Sequence, residues 1–244
     1  MIKLTLPDIP PQLAANETAL VREYLSDSNK KPWRKDYIVN ALLKMSNSKC
    51  AYSEVRLNEE GNYMEVDHFK HKSLYPQEVV RWGNLLPSCK TCNTTKGTWD
   101  VLTAPIVNPL TDNPHDYLFV KACRFYKRND KGQNTIDAVG LNDDDNFVVP
   151  RFKEASYIVS ELEYAWDALK DADTPQKKHN RIHRIKSILE KCGPKSAYSA
   201  VIATFILYDW PGYSDFETFL RNNCYWDNEF EQLKSILAGI AMPE

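Results

Sequence analysis

The 244-residue sequence predicts an α+β fold, and three observations carry that prediction. Apolar residues recur at helical spacing before Cys50 and again, more strongly, after Arg151. Two short aromatic and β-branched runs, 117–120 and 123–126, lie between clusters of turn-forming residues. Between these regions, residues 50–96 carry carboxylate, imidazole, amide and thiol groups in close order. The chain therefore divides into residues 1–48 as an arm with bracing helices, 49–150 as a central domain with a β extension, and 151–244 as a helical domain.

Residues 1–15 hold Pro7, Ile9, Pro10, Pro11 and Leu13, a composition that argues against a helix. They read as a packed or frayed tail, or as an extended arm that docks on a partner. Asn16-Glu17 opens a helix to about Ser26, with Leu20, Val21, Tyr24 and Leu25 on one side. A second helix over 33–46 carries Tyr37, Ile38, Ala41, Leu42 and Met45. Asn129-Asp130-Lys131-Gly132 is expected as a turn after the paired strands.

The last third begins with a stripe of Ala155, Ile158, Val159, Leu162, Ala165, Trp166 and Leu169. Thr174-Pro175 is an N-cap followed by proline, and Gly193-Pro194 closes that helix. The nearly all-apolar stretch 196–210 is expected at the centre of a bundle. Ser214-Asp215-Phe216-Glu217 reads as a capping box, and Phe230, Leu233, Ile236, Leu237 and Ile240 mark a final helix. Lys177, Lys178, Arg181, Arg184, Lys186, Lys191 and Lys195 form a basic stretch. It is read either as a solvated face or as an electrostatic footprint for nucleic acid.

Composition narrows the function classes. A net charge of −2 excludes a polycation that coats nucleic acid, so any grip on phosphates must be local or shared with a partner. No run of 18 apolar residues occurs and the first residues have no hydrophobic signal core, so a cytoplasmic chain is expected. Six cysteines are scattered except for Cys89 and Cys92, a pair that reads as metal-binding or redox-active.

The ordered polar residues suit phosphodiester hydrolysis. That reaction needs an activated water and a cation to carry charge on the leaving oxygen. His68 suits the first task, with Asp67 and Asn93 as hard oxygen ligands for magnesium or manganese. Asn84, 16 residues after His68, is expected to fix the imidazole ring through a backbone or ring hydrogen bond. Lys72 and Lys96 are the expected phosphate contacts, one just after the base and one just after the last ligand.

Asp67-His68, the central asparagine in Trp82-Gly83-Asn84-Leu85-Leu86-Pro87, and Asn93 after Cys89-x-x-Cys92 together resemble the HNH nuclease family. In this variant Asn93 replaces the usual last histidine. The resemblance implies a ββα-metal core flanked by N-terminal helices, a small β extension and a C-terminal helical bundle. Within it, Cys50 to about Phe69 would form the hairpin, and a helix beginning near 91–93 would carry the last ligand.

Two C-x-x-C knuckles often hold zinc in this fold. Here the first reads Cys50-x-x-Ser53, leaving Cys50, Cys89 and Cys92 as candidate ligands. Either a fourth ligand comes from elsewhere or packing replaces the metal. The phrases Asp67-His68-Phe69-Lys70-His71-Lys72, Asn108-Pro109-Leu110 and Val139-Gly140-Leu141-Asn142 resemble, more closely, the HNH subunits of Septu-type and retron-associated anti-phage systems.

That likeness implies an endonuclease effector cutting DNA, with tRNA and other RNA left open. It also implies an ATPase partner of ABC or SMC-like type and, in retron settings, a reverse transcriptase with its RNA–DNA product. The competing reading is a non-catalytic adaptor that binds nucleic acid or protein through a zinc-knuckle-like element.

Overall fold

The computed structural model describes residues 1–59 and 63–244. It is α+β and mostly helical, and the described residues form two small sheets of two strands each. The chain forms two compact units: Met1–Leu118 with Tyr126–Asp143, and Phe119–Phe125 with Asp144–Glu244.

At the heart of the first unit, β1 (Met64–His68) pairs antiparallel with β2 (Leu85–Cys89), setting Met64 opposite Cys89 and His68 opposite Leu85. The short helix α3 (Lys90–Lys96) follows β2 without a break and carries Asn93, where a helix was expected. The strand pairing differs from the expected hairpin over 50–69, a span that includes residues 60–62, outside the described residues. Positive φ at Asn47, Ser48 and Glu54 coils the chain after Ser46 into a tight knuckle. There Cys50 N–H donates to Val55 O and Glu54 N–H donates to Cys50 O, leaving a single β-bridge between Lys49 and Arg56.

Helix α1 (Pro11–Ser26) begins five residues before the expected start. Proline is tolerated in the first turn of a helix, where its missing N–H has no partner to lose, and burying Leu13 favours the extra turn. Residues 1–10 are a packed tail. Met1 and Leu4 are buried, Leu4 N–H donates to Pro109 O and the Trp82 indole donates to Pro7 O, both at 2.8 Å. A 3-10 turn, Pro32–Arg34, leads into α2 (Asp36–Met45). Leu13, Leu20, Tyr24, Trp33, Ile38 and Leu42 share one core with Val79, Val80, Trp82 and Leu85. The two helices thus brace the strand pair and the loop between its strands.

The expected strands become β3 (Leu118–Lys121) and β4 (Arg124–Lys127), joined by Ala122 and Cys123, both at positive φ as a tight two-residue hairpin turn requires. The expected turn at Asn129 is instead the start of α4 (Asp130–Val139). The Asn129 side chain accepts from Gly132 N–H, and the same residue types that make turns also cap helices. A Cβ at Gly132 would sit 2.0 Å from the Tyr117 carbonyl oxygen, so only glycine fits there.

The second unit contains α5 (Val149–Lys170), α6 (Pro175–Glu190), α7 (Ser199–Thr204), α8 (Tyr213–Asn222) and α9 (Asn228–Ile240). Thr174 caps α6 by accepting from Lys177 N–H, and every residue of α7 is buried. The expected capping box does not form. Ser214 lies inside α8, and Glu217 accepts from Lys234 and pairs with Arg221. Three of the seven residues of the basic stretch are committed within their own unit. Lys186 turns inward to Asp227 and Glu229, Arg184 pairs with Glu161, and Lys177 pairs with Asp173. No helix among the described residues is long and apolar enough to cross a membrane.

Candidate active site

Alternation along β1 places Glu65 and Asp67 on one side of the strand, and His68 lies at its end. All three line a cavity of about 610 Å³ together with Asn93 from α3 and Lys72 from the loop after β1.

His68 is 3% exposed. Its Nε2 lies 2.8 Å from the carbonyl oxygen of Val79. A carbonyl can only accept, so Nε2 carries the proton and Nδ1 is the bare nitrogen. Burial is the main cause that lowers the ring pKa to about 4, opposed by the neighbouring Asp67. At neutral pH the ring is therefore uncharged and able to take a proton. Trp33 packs edge-on against it, with ring centroids 4.7 Å apart.

Asn84 makes no hydrogen bond to that ring. Its Oδ1 accepts from Lys70 N–H at 2.7 Å, and its Nδ2 donates to Lys70 O and Glu78 O, each at 3.1 Å. It closes the loop between β1 and β2, and its bond to Glu78 O positions the neighbouring Val79 carbonyl. Its backbone carbonyl also accepts from Phe69 N–H at 2.9 Å, next to His68 in the chain.

Asp67 is also buried, and both of its oxygens are engaged. The Tyr52 hydroxyl donates to Oδ2 at 2.6 Å and the Lys96 ammonium donates to Oδ1 at 2.9 Å. Burial, then the charge of Asp67, keeps the Tyr52 hydroxyl protonated well above the usual phenol range. Lys96 is 2% exposed and also donates to His68 O at 2.7 Å. The expectation that Lys96 meets a substrate phosphate is therefore corrected: α3 packs against β1 and turns the ammonium inward. Lys72 remains at the cavity, half-buried, with its ammonium 5.5 Å over the Trp33 ring.

The donor chemistry fits a hard divalent cation. Asn93 Nδ2 donates to Glu65 Oε2, which fixes the amide orientation and leaves its Oδ1 without a hydrogen bond among the described residues. Asp67 adds a carboxylate that accepts two bonds and has lone pairs remaining. Oxygen donors of this kind suit magnesium or manganese.

In the same unit, Cys50, Cys89 and Cys92 bring their sulfurs within 4.8 Å of one another, all buried, in a cluster that can hold a metal such as zinc. Burial would push the Cys50 thiol up, but donors from Cys89, Cys92 and Ser53 overcome that and hold it well below the usual range. Its thiolate in turn pushes Cys89 up to about 12. A lowered thiol pKa is the direction that thiolate coordination requires. Ser53 Oγ lies 3.7 Å from Cys89 Sγ, which puts the serine of the altered knuckle beside the three sulfurs.

The sequence reading left Glu65, Tyr52, Trp33 and the Val79 carbonyl unassigned. Glu65 could have been found from the two-residue strand period that places it beside Asp67. Nothing in the sequence marks the other three.

No protein-family model matches the chain. It is 36% identical over 240 residues to the Septu protein PtuB of Bacillus thuringiensis, covering 96% of this chain and 93% of that protein. It is 27% identical over 143 residues to the Septu protein PtuB of Bacillus mycoides strain KBAB4, covering 45% of this chain and 48% of that protein.

Proposed function

The chain belongs to the PtuB family of Septu proteins, and from that premise we propose that it is a metal-dependent HNH-type endonuclease. It acts as the effector of a Septu anti-phage defence complex in the cytoplasm, with an ATPase subunit as partner. DNA is the favoured substrate, with tRNA and other RNA as alternatives. Both relatives carry Septu names, so the proposal takes that setting rather than the retron one.

The observation that supports it most is His68 held neutral, with one nitrogen fixed by Val79 O and the other bare, in a cavity lined by Glu65, Asp67 and Asn93. Nδ1 takes a proton from water as the oxygen attacks phosphorus. The Nε2–H bond to the Val79 carbonyl holds the ring in place and stabilises the imidazolium that results. Asp67 and Asn93 would hold magnesium or manganese, which when bound supplies charge neutralisation at the leaving oxygen.

Purified chain, alone and with its co-purifying partner, is expected to cut plasmid DNA or total tRNA with magnesium or manganese and to stop in EDTA. One observation favours the non-catalytic adaptor instead: an aspartate whose oxygens are both taken by Tyr52 and Lys96 resembles a structural carboxylate. Absence of cutting with any metal, with or without the partner, would decide for the adaptor.

Zinc in the three-sulfur cluster is the structural part of the proposal, with Ser53 or an outside group as the fourth ligand. Elemental analysis should then find one zinc per chain. Cys89→Ala should lose it and unfold at least about 5 °C lower. Identical melting of the two chains would make the cysteines ordinary packing residues.

A further inference from the structure

The segment just before α2 lies more than thirty residues from the Asp67-His68 motif in sequence, yet Lys31, Trp33 and Arg34 line the same cavity. Trp33 anchors this segment. It is 6% exposed, with its ring 5.7 Å from Tyr24 and 4.7 Å from His68. Lys31 and Arg34 on either side of it are exposed.

Among the described residues neither Lys31 nor Arg34 forms an ion pair, whereas Lys49, Lys70, Lys96 and Lys186 are all committed to carboxylates. Lys72 is the third cation at this wall, its ammonium over the face of Trp33. Facing these three are two carboxylates, of which Asp67 is already neutralised by Lys96. The cavity therefore carries uncompensated positive charge in a chain that is net acidic.

We propose that Lys31, Arg34 and Lys72 form the phosphate cradle of this cleft and hold backbone phosphates next to the scissile bond. The cradle rests on the nuclease reading above, and it fills the place that the burial of Lys96 leaves empty. Because Trp33 touches His68 and carries Lys72 over its ring, one indole sets both the base and the cradle. Cations that meet only phosphate position a strand without reading its bases. The ligand is thus a polynucleotide backbone of any sequence.

The test measures binding by the full chain carrying His68→Ala, with magnesium present, to mixed-sequence single-stranded DNA and to RNA of the same sequence across a salt series. Lys31→Ala and Arg34→Ala should each weaken binding and lower the slope of log affinity against log salt by about 0.7, equally on DNA and RNA. Arg34→Lys, which keeps the charge, should retain the parental slope. No binding by the parent, slopes unchanged in both alanine variants, or a loss confined to DNA or to RNA would each overturn the cradle. The nuclease reading fails separately, by the absence of cleavage in the native chain, so the two failures are distinguishable.

Discussion

Cleavage by the His68→Ala chain is expected to fall by about 100-fold or more, the loss typical when a general base is removed. The magnitude follows from geometry. His68 is the one imidazole of the β1 strand, its Nε2 is committed to Val79 O, and among the described residues its Nδ1 has no other partner. With the ring pKa lowered to about 4, the base is fully neutral at pH 7, so native activity should not decline from loss of this base until the pH nears 4.

The same shift has a stability consequence with a definite sign. Below the ordinary value of 6.5 the unfolded chain binds a proton that the folded ring refuses. Stability therefore falls as pH drops from about 6.5 to about 4, by up to about 3 kcal/mol. His68→Ala should flatten that limb in urea unfolding while leaving the circular dichroism spectrum unchanged. Cleavage equal to the native chain would remove His68 from the reaction.

Lys96→Met should cost about 3–5 kcal/mol of folding stability, a drop in melting temperature on the order of 10 °C. The Lys96–Asp67 pair has side-chain exposures of 0% and 4%, so solvent does little to screen it. Taking away the ammonium leaves a buried carboxylate with only the Tyr52 hydroxyl on one oxygen, and it strips a donor from His68 O. Adding Asp67→Asn to Lys96→Met removes the stranded charge and should recover much of the loss. The pair of measurements separates two roles for one lysine. An unchanged melting temperature in Lys96→Met would mean that the ammonium is free to leave Asp67 and meet substrate.

The sequence was most legible where chemistry and periodicity coincide. Asp67, His68 and Asn93 converge on one cavity, and α3, α5, α6 and α9 lie close to where spacing and caps put them. Errors arose where one residue type serves two purposes. In the linear pattern, proline at the head of α1 reads as a breaker, Asn129 as a turn residue, and Ser214 with Glu217 as a cap. In each case buried neighbours or a charged partner decided, and those are invisible in a linear pattern. Within the site, side-chain direction was the missing quantity. Lys96 has the composition of a phosphate contact and the burial of a core residue. Asn84 bonds to Glu78 O and Lys70, not to the imidazole. The contribution of Trp33 depends on a long-range contact that no local motif announces.

The division of the chain has a consequence of timing. Every wall of the cleft falls between Ser28 and Gly97, and the unit that contains it is complete at Asp143, ahead of all five helices of the second unit. Domains generally fold as units, the N-terminal one first during synthesis, so the first unit can close before α5 to α9 are available. Whatever shapes the cleft at that stage lies within the first unit.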